Sequence, residues 1–419
     1  MLDIKIIREK PEMVQDIINK RLGKLNVQDF LKIDEEKRNL IVKTDELRTL
    51  KNKVSKEIPT LSNEERPAKI AEMKIVWENL KKLEENQKII NEKWNELYYQ
   101  FPNLLDPTAA IWETDEDNII HSTYGEKRVF NFPIKPHYEI GEKKGWIDIE
   151  KWSEVSWARF WYLKWDLVLL QMALQNYAVT QLVAHGFTPM LPPVMVRDKA
   201  MFGTGFFPAD EDGIYQVNPG EDDLYLVGTS EVPVTSYHGG ETLDLEKPIM
   251  YAGISPCFRR EAGSTGKDTR GILRWHQFDK VEMVVFCKQD ESQKMHDFMV
   301  ELEEKIWQCL DIPYNKLNVC SWDLGNPAMK KYDLEAWMPG QDKYREVTSC
   351  SNVWEFQSRR LGIKYKDENW KSLYAHTLNG TVIAMSRCLI TIIENYQTAE
   401  GNVKIPEVLL SYMWGKTEI

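Results

Sequence analysis

Between Val27 and Gln100 the apolar positions recur at a helical interval. Ile33, Leu40, Leu47 and Val54 are spaced by seven, with Leu50 in the intervening position. Beyond a break, Met73, Leu80, Gln87 and Trp94 form one seven-residue series, and Val76, Leu83, Ile90 and Leu97 form another. Two such runs predict a pair of long helices meeting along a seam. The break from Ile58 to Pro67 holds the segment's only prolines and offers Ser62 or Asn63 as an N-cap. It is short enough to fold the second helix back along the first, giving an antiparallel arm of about 45 Å at 1.5 Å per residue.

From Phe101 onward Gly, Pro and aromatic residues return and the apolar runs shorten to strand length, as in Ile249–Ile254 and Val281–Phe286. Strand patterns close in sequence and joined by Gly-rich turns favour an antiparallel sheet with helices packed on it over a βαβ array. The richest apolar stretch, Leu167 to Ala184, is interrupted by Gln171, Gln175, Asn176 and Gln181. It reads as an amphipathic helix rather than a bilayer span. The expected fold is therefore α+β, with an N-terminal domain over 1–105 carrying the arm (27–100) and a second domain over 106–419.

The 419 residues are 42% hydrophobic and 28% charged, the composition of an ordinary globular protein. Met1 to Lys10 carry Asp3, Lys5, Arg8 and Glu9 with no apolar run behind them. A cytoplasmic protein that makes no use of a membrane is expected. The 6 cysteines form no CxxC pair, so reduced thiols and no zinc are expected. The net charge of −11 offers a nucleic acid no bulk attraction. Locally the sign reverses: Lys43, Arg48, Lys51, Lys53 and Lys56 face only Asp45 and Glu46 over the same stretch. Such a basic stripe can follow a phosphate backbone; a dimerisation coiled coil or a passive spacer is the plainer reading of the arm.

No GxxxxGK[ST], GxGxxG, HExxH or GxSxG is present, and Gly263–Lys267 has the wrong spacing for a phosphate loop. The chemistry gathers instead in a strand, long loop and strand between Ile249 and Phe286. In the second strand, period-two alternation puts Arg274, Phe278 and Glu282 on one face, and Arg259 and Glu261 stand where the first strand ends. A cation, an aromatic plate and a carboxylate could hold a phosphate, a base, and an amine or hydroxyl. An exposed sheet face with cross-strand ion pairs fits the same pattern.

The run FRREAGSTGKDTRGILRWHQFDKVE, Phe258 to Glu282, resembles motif 2 of seryl-tRNA synthetases, a class II family. Gly228 to Pro233 (GTSEVP) resembles the family's serine-binding TxE segment, Arg345 to Asn352 (REVTSCSN) its metal and ATP segment, and Thr377 to Arg387 (TLNGTVIAMSR) its motif 3. Gly186 to Pro193 resembles motif 1, which implies a homodimer. The resemblance runs through the arm and so covers essentially the whole chain.

It implies a class II antiparallel sheet flanked by helices, preceded by the coiled-coil arm, and a ligase that joins serine to the 3′ end of serine tRNA through seryl-adenylate. Selenocysteine tRNA is left open as a second acceptor. Arg259, Glu346 and Arg387 would be catalytic. ATP would meet Arg259, Arg260, Glu261, Arg274, Phe278, Glu346, Val347, Thr348, Ser349 and Arg387, with Mg²⁺ on Glu346 and Ser349. Serine would meet Thr229, Ser230, Glu231, Arg259, Glu282, Asn379 and Thr381. Val382 and Ser386 in motif 3, Trp275 in motif 2, and Trp157 depart from the usual pattern.

Relatives that charge threonine, proline or glycine commonly append an anticodon domain, whereas 32 residues follow Arg387 here. Recognition through the arm, laid against the long variable arm of serine tRNA, is the implied alternative. A catalytically silent paralogue that binds RNA or protein would be marked by loss of Arg259, Glu282, Glu346 or Arg387, all of which are present. His276 reads as a hydrogen-bonded structural residue and the 15 tryptophans, Trp152 among them, as packing.

Overall fold

The computed structural model describes residues 1–111, 118–148, 151, 154–156, 159–261 and 271–419. Gly263–Lys267, Trp152 and Trp157 lie outside the described residues. By internal contacts the chain forms two units, Leu2–Pro102 and, with Met1, Asn103–Ile419.

The first unit comprises α1 (Ile4–Glu9), α2 (Pro11–Lys20), α3 (Val27–Glu57) and α4 (Arg66–Tyr98). Asn26 starts α3: its side-chain oxygen accepts from the Gln28 and Asp29 amides at 2.8 and 3.3 Å, satisfying N–H groups that no earlier carbonyl reaches. After α3, the Ser62 hydroxyl donates to the Glu65 carboxylate at 2.7 Å and accepts from the Glu65 amide at 3.3 Å. Ser62 thus caps the turn that leads into α4.

Both series on α4 face inward, with Leu80 and Ile90 buried. On α3 the outcome differs. Leu47 and Val54 lie in the seam, but the alternate inward positions are Phe30, Lys37, Thr44 and Lys51, and Leu50 is 39% exposed. One residue's displacement from Lys51 turns Leu50 about 100° around the helix. At the base of the arm Asp34, 1% exposed, accepts from Arg8 Nε and Nη2 at 2.8 Å each, from Trp94 Nε1 at 2.9 Å and from Arg38 Nε at 3.2 Å. Burial raises its pKa, yet the Arg8 and Trp94 bonds hold it below the usual carboxylate range. Phe30, Trp94, Tyr98 and Phe101 pack around this centre.

The second unit is built on one large sheet: β1 (Ile119–Tyr124), β2 (Thr188–Met190), β3 (Ile249–Phe258), β4 (Gln277–Cys287), β5 (Tyr314–Asn318), β6 (Lys330–Met338), β7 (Lys343–Trp354) and β8 (His376–Ala384). Across the sheet the order is β1, β5, β6, β7, β8, β4, β3, β2. Every pairing is antiparallel except β2 with β3. Helices α5 (Asp166–Ala184), α7 (Ser292–Cys309) and α8 (Met385–Asn395) enclose a core in which Val281, Met283 and Val285 of β4 meet Leu174, Trp307 and Ile392; α6 (Glu231–Ser236) lies on the other side. Helix α5 has the length and the apolar composition of a bilayer span. It buries Leu167, Leu170, Leu174 and Leu182 in the core while Met172 and Val183 stay exposed, so it is apolar around most of its circumference rather than along a single stripe.

Candidate active site

With Val281, Met283 and Val285 committed to the helices, alternation turns Phe278, Lys280 and Glu282 to the opposite face of β4. The register places Cys257 beside Phe278, Ser255 beside Lys280 and Gly253 beside Glu282 on β3, and Thr381 beside Glu282 on β8. These side chains are not an exposed polar sheet: Lys280 is 5% and Glu282 1% exposed. They floor an open-mouthed cavity. Strand β4 starts only at Gln277, so Arg274 stands in the irregular segment before it, yet it lines the same cavity.

Two β-bulges complete the floor. Leu334 pairs with Thr348 and Glu335 with Glu346, leaving Val347 as an extra residue. Glu346 and Ser349, three apart, therefore face the same side, where strict alternation would have separated them. On β8, Thr381 pairs with Glu282 and Ile383 with Val281, so Val382 is extra and Ala384 joins Asn379 and Thr381 at the cavity.

At one end two carboxylates converge. Asn379 Nδ2 donates to Glu231 Oε2 at 3.1 Å and lies 3.4 Å from Glu282 Oε1, while the Thr381 hydroxyl donates to Glu282 Oε2 at 3.1 Å. Gln357 Nε2 donates to Glu231 Oε1 at 2.7 Å, and Thr229 Oγ1 accepts from the Glu231 amide at 3.2 Å. Burial and the neighbouring Glu282 push Glu231 up to about 7, against the pull of Gln357 and Lys280. An ammonium placed between the two carboxylates would relieve this repulsion.

Towards the other end, the Arg259 guanidinium stands 5.2 Å over the Phe278 ring and is tethered by Nε to the Gly228 carbonyl at 3.2 Å. Glu261, in the left-handed region at φ 51°, directs its carboxylate to within 3.6 Å of Arg274. A non-glycine residue held there costs of order 1 kcal/mol and is commonly found at binding sites. Arg387, in the first turn of α8, donates to the Glu346 carbonyl at 2.7 Å and pairs with its carboxylate at 3.2 Å. Although its side chain is near half-exposed, Arg387 and Lys331 draw the Glu346 carboxyl well below the usual carboxylate range. The ionised carboxylate and the Ser349 hydroxyl are hard oxygen donors suited to Mg²⁺. Among the described residues no three or more His, Cys, Asp or Glu side chains gather as a metal cluster, so phosphate oxygens and water would supply the rest of such a cation's shell.

Some sequence-predicted residues fall elsewhere. Arg260 follows Arg259 and points the other way, into a separate cleft with Asp198, Glu211, Asp212 and Asp223. Ser230 is fully buried and donates to the Gly253 carbonyl at 3.4 Å, beneath the cavity rather than in its lining. Thr348 and Val347 border the cavity, but the Thr348 hydroxyl donates to Glu303 of α7 at 2.8 Å and Val347 belongs to the core. Conversely, the sequence reading left out Lys280, Gln357 and Phe206. Alternation already placed Lys280 between Phe278 and Glu282; Gln357 and Phe206 carry no local signal.

A family model for the seryl-tRNA synthetase N-terminal domain matches residues 1–105, and one for the tRNA synthetase class II core domain (G, H, P, S and T) matches 215–396. The serine–tRNA ligase of Dictyoglomus turgidum is 41% identical over 100% of this chain and 99% of its own length. The chain belongs to the seryl-tRNA synthetase family. Crystal structures of the Pyrococcus horikoshii seryl-tRNA synthetase complexed with ATP (TM-score 0.91, 39% identity, 100% of this chain and 99% of that one) and of the cytoplasmic Naegleria fowleri enzyme with AMP (TM-score 0.87, 34% identity, 100% and 98%) share its fold. Within this synthetase the departures from the motif pattern have structural places. Val382 is the bulge residue of β8. Trp275 is 2% exposed, edge-on to Trp161 at 4.8 Å, and Ser386 lines the cavity. The His276 ring nitrogen Nδ1 lies 2.9 Å from both the Tyr215 hydroxyl and the Arg259 carbonyl.

Proposed function

We propose the following division of labour for the reaction of the family, in which serine is activated with ATP to seryl-adenylate and passed to the 3′ end of serine tRNA. The observation that carries it is the single face on which the Glu231–Glu282 pair, Arg259, and the Glu346–Arg387 pair line one cavity.

Glu231 takes the serine ammonium, and its raised pKa falls as that cation arrives. Glu282, with Thr381, takes the side-chain hydroxyl. A buried acceptor left unpaired rejects alanine, by up to ~10⁴-fold in comparable sites. Arg259 draws the serine carboxylate and the α-phosphate together and neutralises charge as the carboxylate oxygen bonds to phosphorus and pyrophosphate leaves. Phe278 stacks on the adenine, Glu261 and Arg274 border it, and Arg387 closes over the base or the distal phosphates. Glu346 and Ser349 would hold Mg²⁺, which would supply positive charge to the phosphate oxygens. No protein nucleophile is required, because positioning and charge supply the rate.

For the acceptor we propose the arm. Arg48, Lys51 and Asn52 of α3 and Trp77, Leu80 and Lys81 of α4 line one groove, in which Trp77 is 52% exposed and Arg48 is shared with Glu84 at 2.9 Å. Cations beside an aromatic face suit a backbone of phosphates. A homodimer through the β2 edge, where Leu191 is 81% exposed, and a cytoplasmic location complete the reading. The test is serine-dependent ATP–pyrophosphate exchange followed by charging of serine tRNA. Exchange with serine, and none with threonine, proline or glycine, is expected; no exchange with any amino acid would overturn the reading.

A further inference from the structure

Lys280 belongs to none of the groups given a role above, and its setting is unusual for a lysine. It is 5% exposed, on the cavity face of β4, between the aromatic plate Phe278 and the carboxylate Glu282. Its ammonium makes an ion pair with Glu282 Oε2 and lies 3.4 Å from Thr381 Oγ1, which itself donates to the same carboxylate oxygen at 3.1 Å. A buried ammonium is costly unless paired, and the partner here is one oxygen of one residue. Glu282 lines the cavity, and among the described residues its other oxygen, Oε1, has the Asn379 amide for a neighbour, at 3.4 Å.

We propose that Lys280 is a positioning residue of the amino-acid subsite: together with Thr381 it fixes one oxygen of Glu282 so that the other is presented as the acceptor for the substrate's side-chain hydroxyl. The inference rests on the reading of Glu282 as the hydroxyl acceptor. A carboxylate free to rotate would offer either lobe, and its orientation would have to be frozen each time serine binds. Lys280 removes that freedom in advance. Its charge also makes the crowded subsite tenable. Glu231 of α6 and Glu282 share the Asn379 amide, and Lys280 favours the charged form of Glu231. The other charged or titratable groups around the pair are Arg259 and Cys257 at the end of β3, Glu303 of α7 and Cys350 of β7. Glu231, Glu282 and Lys280 together sum to one negative charge when ionised, matching one incoming ammonium.

The variants are Lys280→Met and Lys280→Arg, followed by serine-dependent exchange between pH 5.5 and 9. For K280M the serine KM is expected to rise at least about tenfold with the ATP KM within about twofold. The acid limb of kcat/KM for serine, set by Glu231, should move to higher pH. K280R should restore the position of that limb. A K280M enzyme with the wild-type serine KM and an unmoved limb would overturn the inference. Should K280M fail to fold, E282Q and K280M/E282Q decide instead, since the double variant removes both members of the ion pair. Equal serine KM values are expected if Lys280 acts through Glu282, and a further tenfold loss in the double variant would overturn it. Wild-type protein without serine-dependent exchange would remove the underlying reading; wild-type activity with an unaltered K280M removes this inference alone.

Discussion

Arg387 holds Glu346 at two points, its Nη1 lying 2.7 Å from the backbone carbonyl and 3.2 Å from the carboxylate. The contact joins the first turn of α8 to the bulged strand β7, so a helix start and a strand irregularity are fixed against each other at the phosphate end of the cavity. Glu346 is near half-exposed, at 46% of its side chain, and little of the fold depends on its charge. Glu346→Gln is therefore expected to lower adenylate formation about 10²-fold or more and to raise the Mg²⁺ concentration needed for half-maximal exchange, with the melting temperature unchanged. Exchange at the wild-type rate would contradict the role given to this carboxylate.

The two carboxylates of the amino-acid subsite set a pH dependence. Glu231 titrates at about 7 in the folded protein against an ordinary value of 4.5, through burial and the proximity of Glu282. Between those values the folded state binds a proton that the unfolded state has released, so stability contributed by this group is present at low pH and is lost as pH rises through 7. The free enzyme should melt at a lower temperature at pH 8 than at pH 5.5 by more than Glu231→Gln does, and serine should narrow the gap. A wild-type profile parallel to that of E231Q would show that Glu231 does not titrate there.

Asp34 anchors the N-terminal unit through Arg8, Arg38 and Trp94. Asp34→Ala leaves the Trp94 indole N–H without its acceptor and is expected to cost about 2 kcal/mol. Urea unfolding followed by far-ultraviolet circular dichroism would measure it; a midpoint unchanged from wild type would mean that water replaces the carboxylate fully.

Deletion of Val27–Gln100 tests the arm. Serine-dependent exchange is expected to survive while charging of serine tRNA falls below detection, because the cavity's lining comes entirely from residues beyond Pro102. Equal loss of both activities would assign the arm a supporting role in folding.

Much of this was legible in the chain, and the failures share a cause. The α4 seam could be read because its inward positions are almost all apolar. In the alternate series of the α3 seam three of the four positions are Lys37, Thr44 and Lys51, so a hydrophobic count slid to Leu50 instead. Arg259, Glu282 and Arg387 were found through motif resemblance and regular alternation. Thr348 borders the cavity while its hydroxyl turns to α7, and Arg260 leaves it altogether, because extended chain sends successive side chains to opposite faces and a bulge resets the count. Ser230 stands at the start of α6, where the helix turns it beneath the floor. No residue type announces a bulge: Val347 and Val382 are ordinary strand formers.

The bulges at Val347 and Val382 decide which side chains the cavity receives. A regular ladder through all of the present residues would send Glu346, or Thr381 and Asn379, to the helix side of the sheet, whereas removal of the bulge residue itself would leave them facing the cavity. Val347 and Val382 are both buried in the core, so each strand carries an apolar extra residue whose burial holds the ladder out of step.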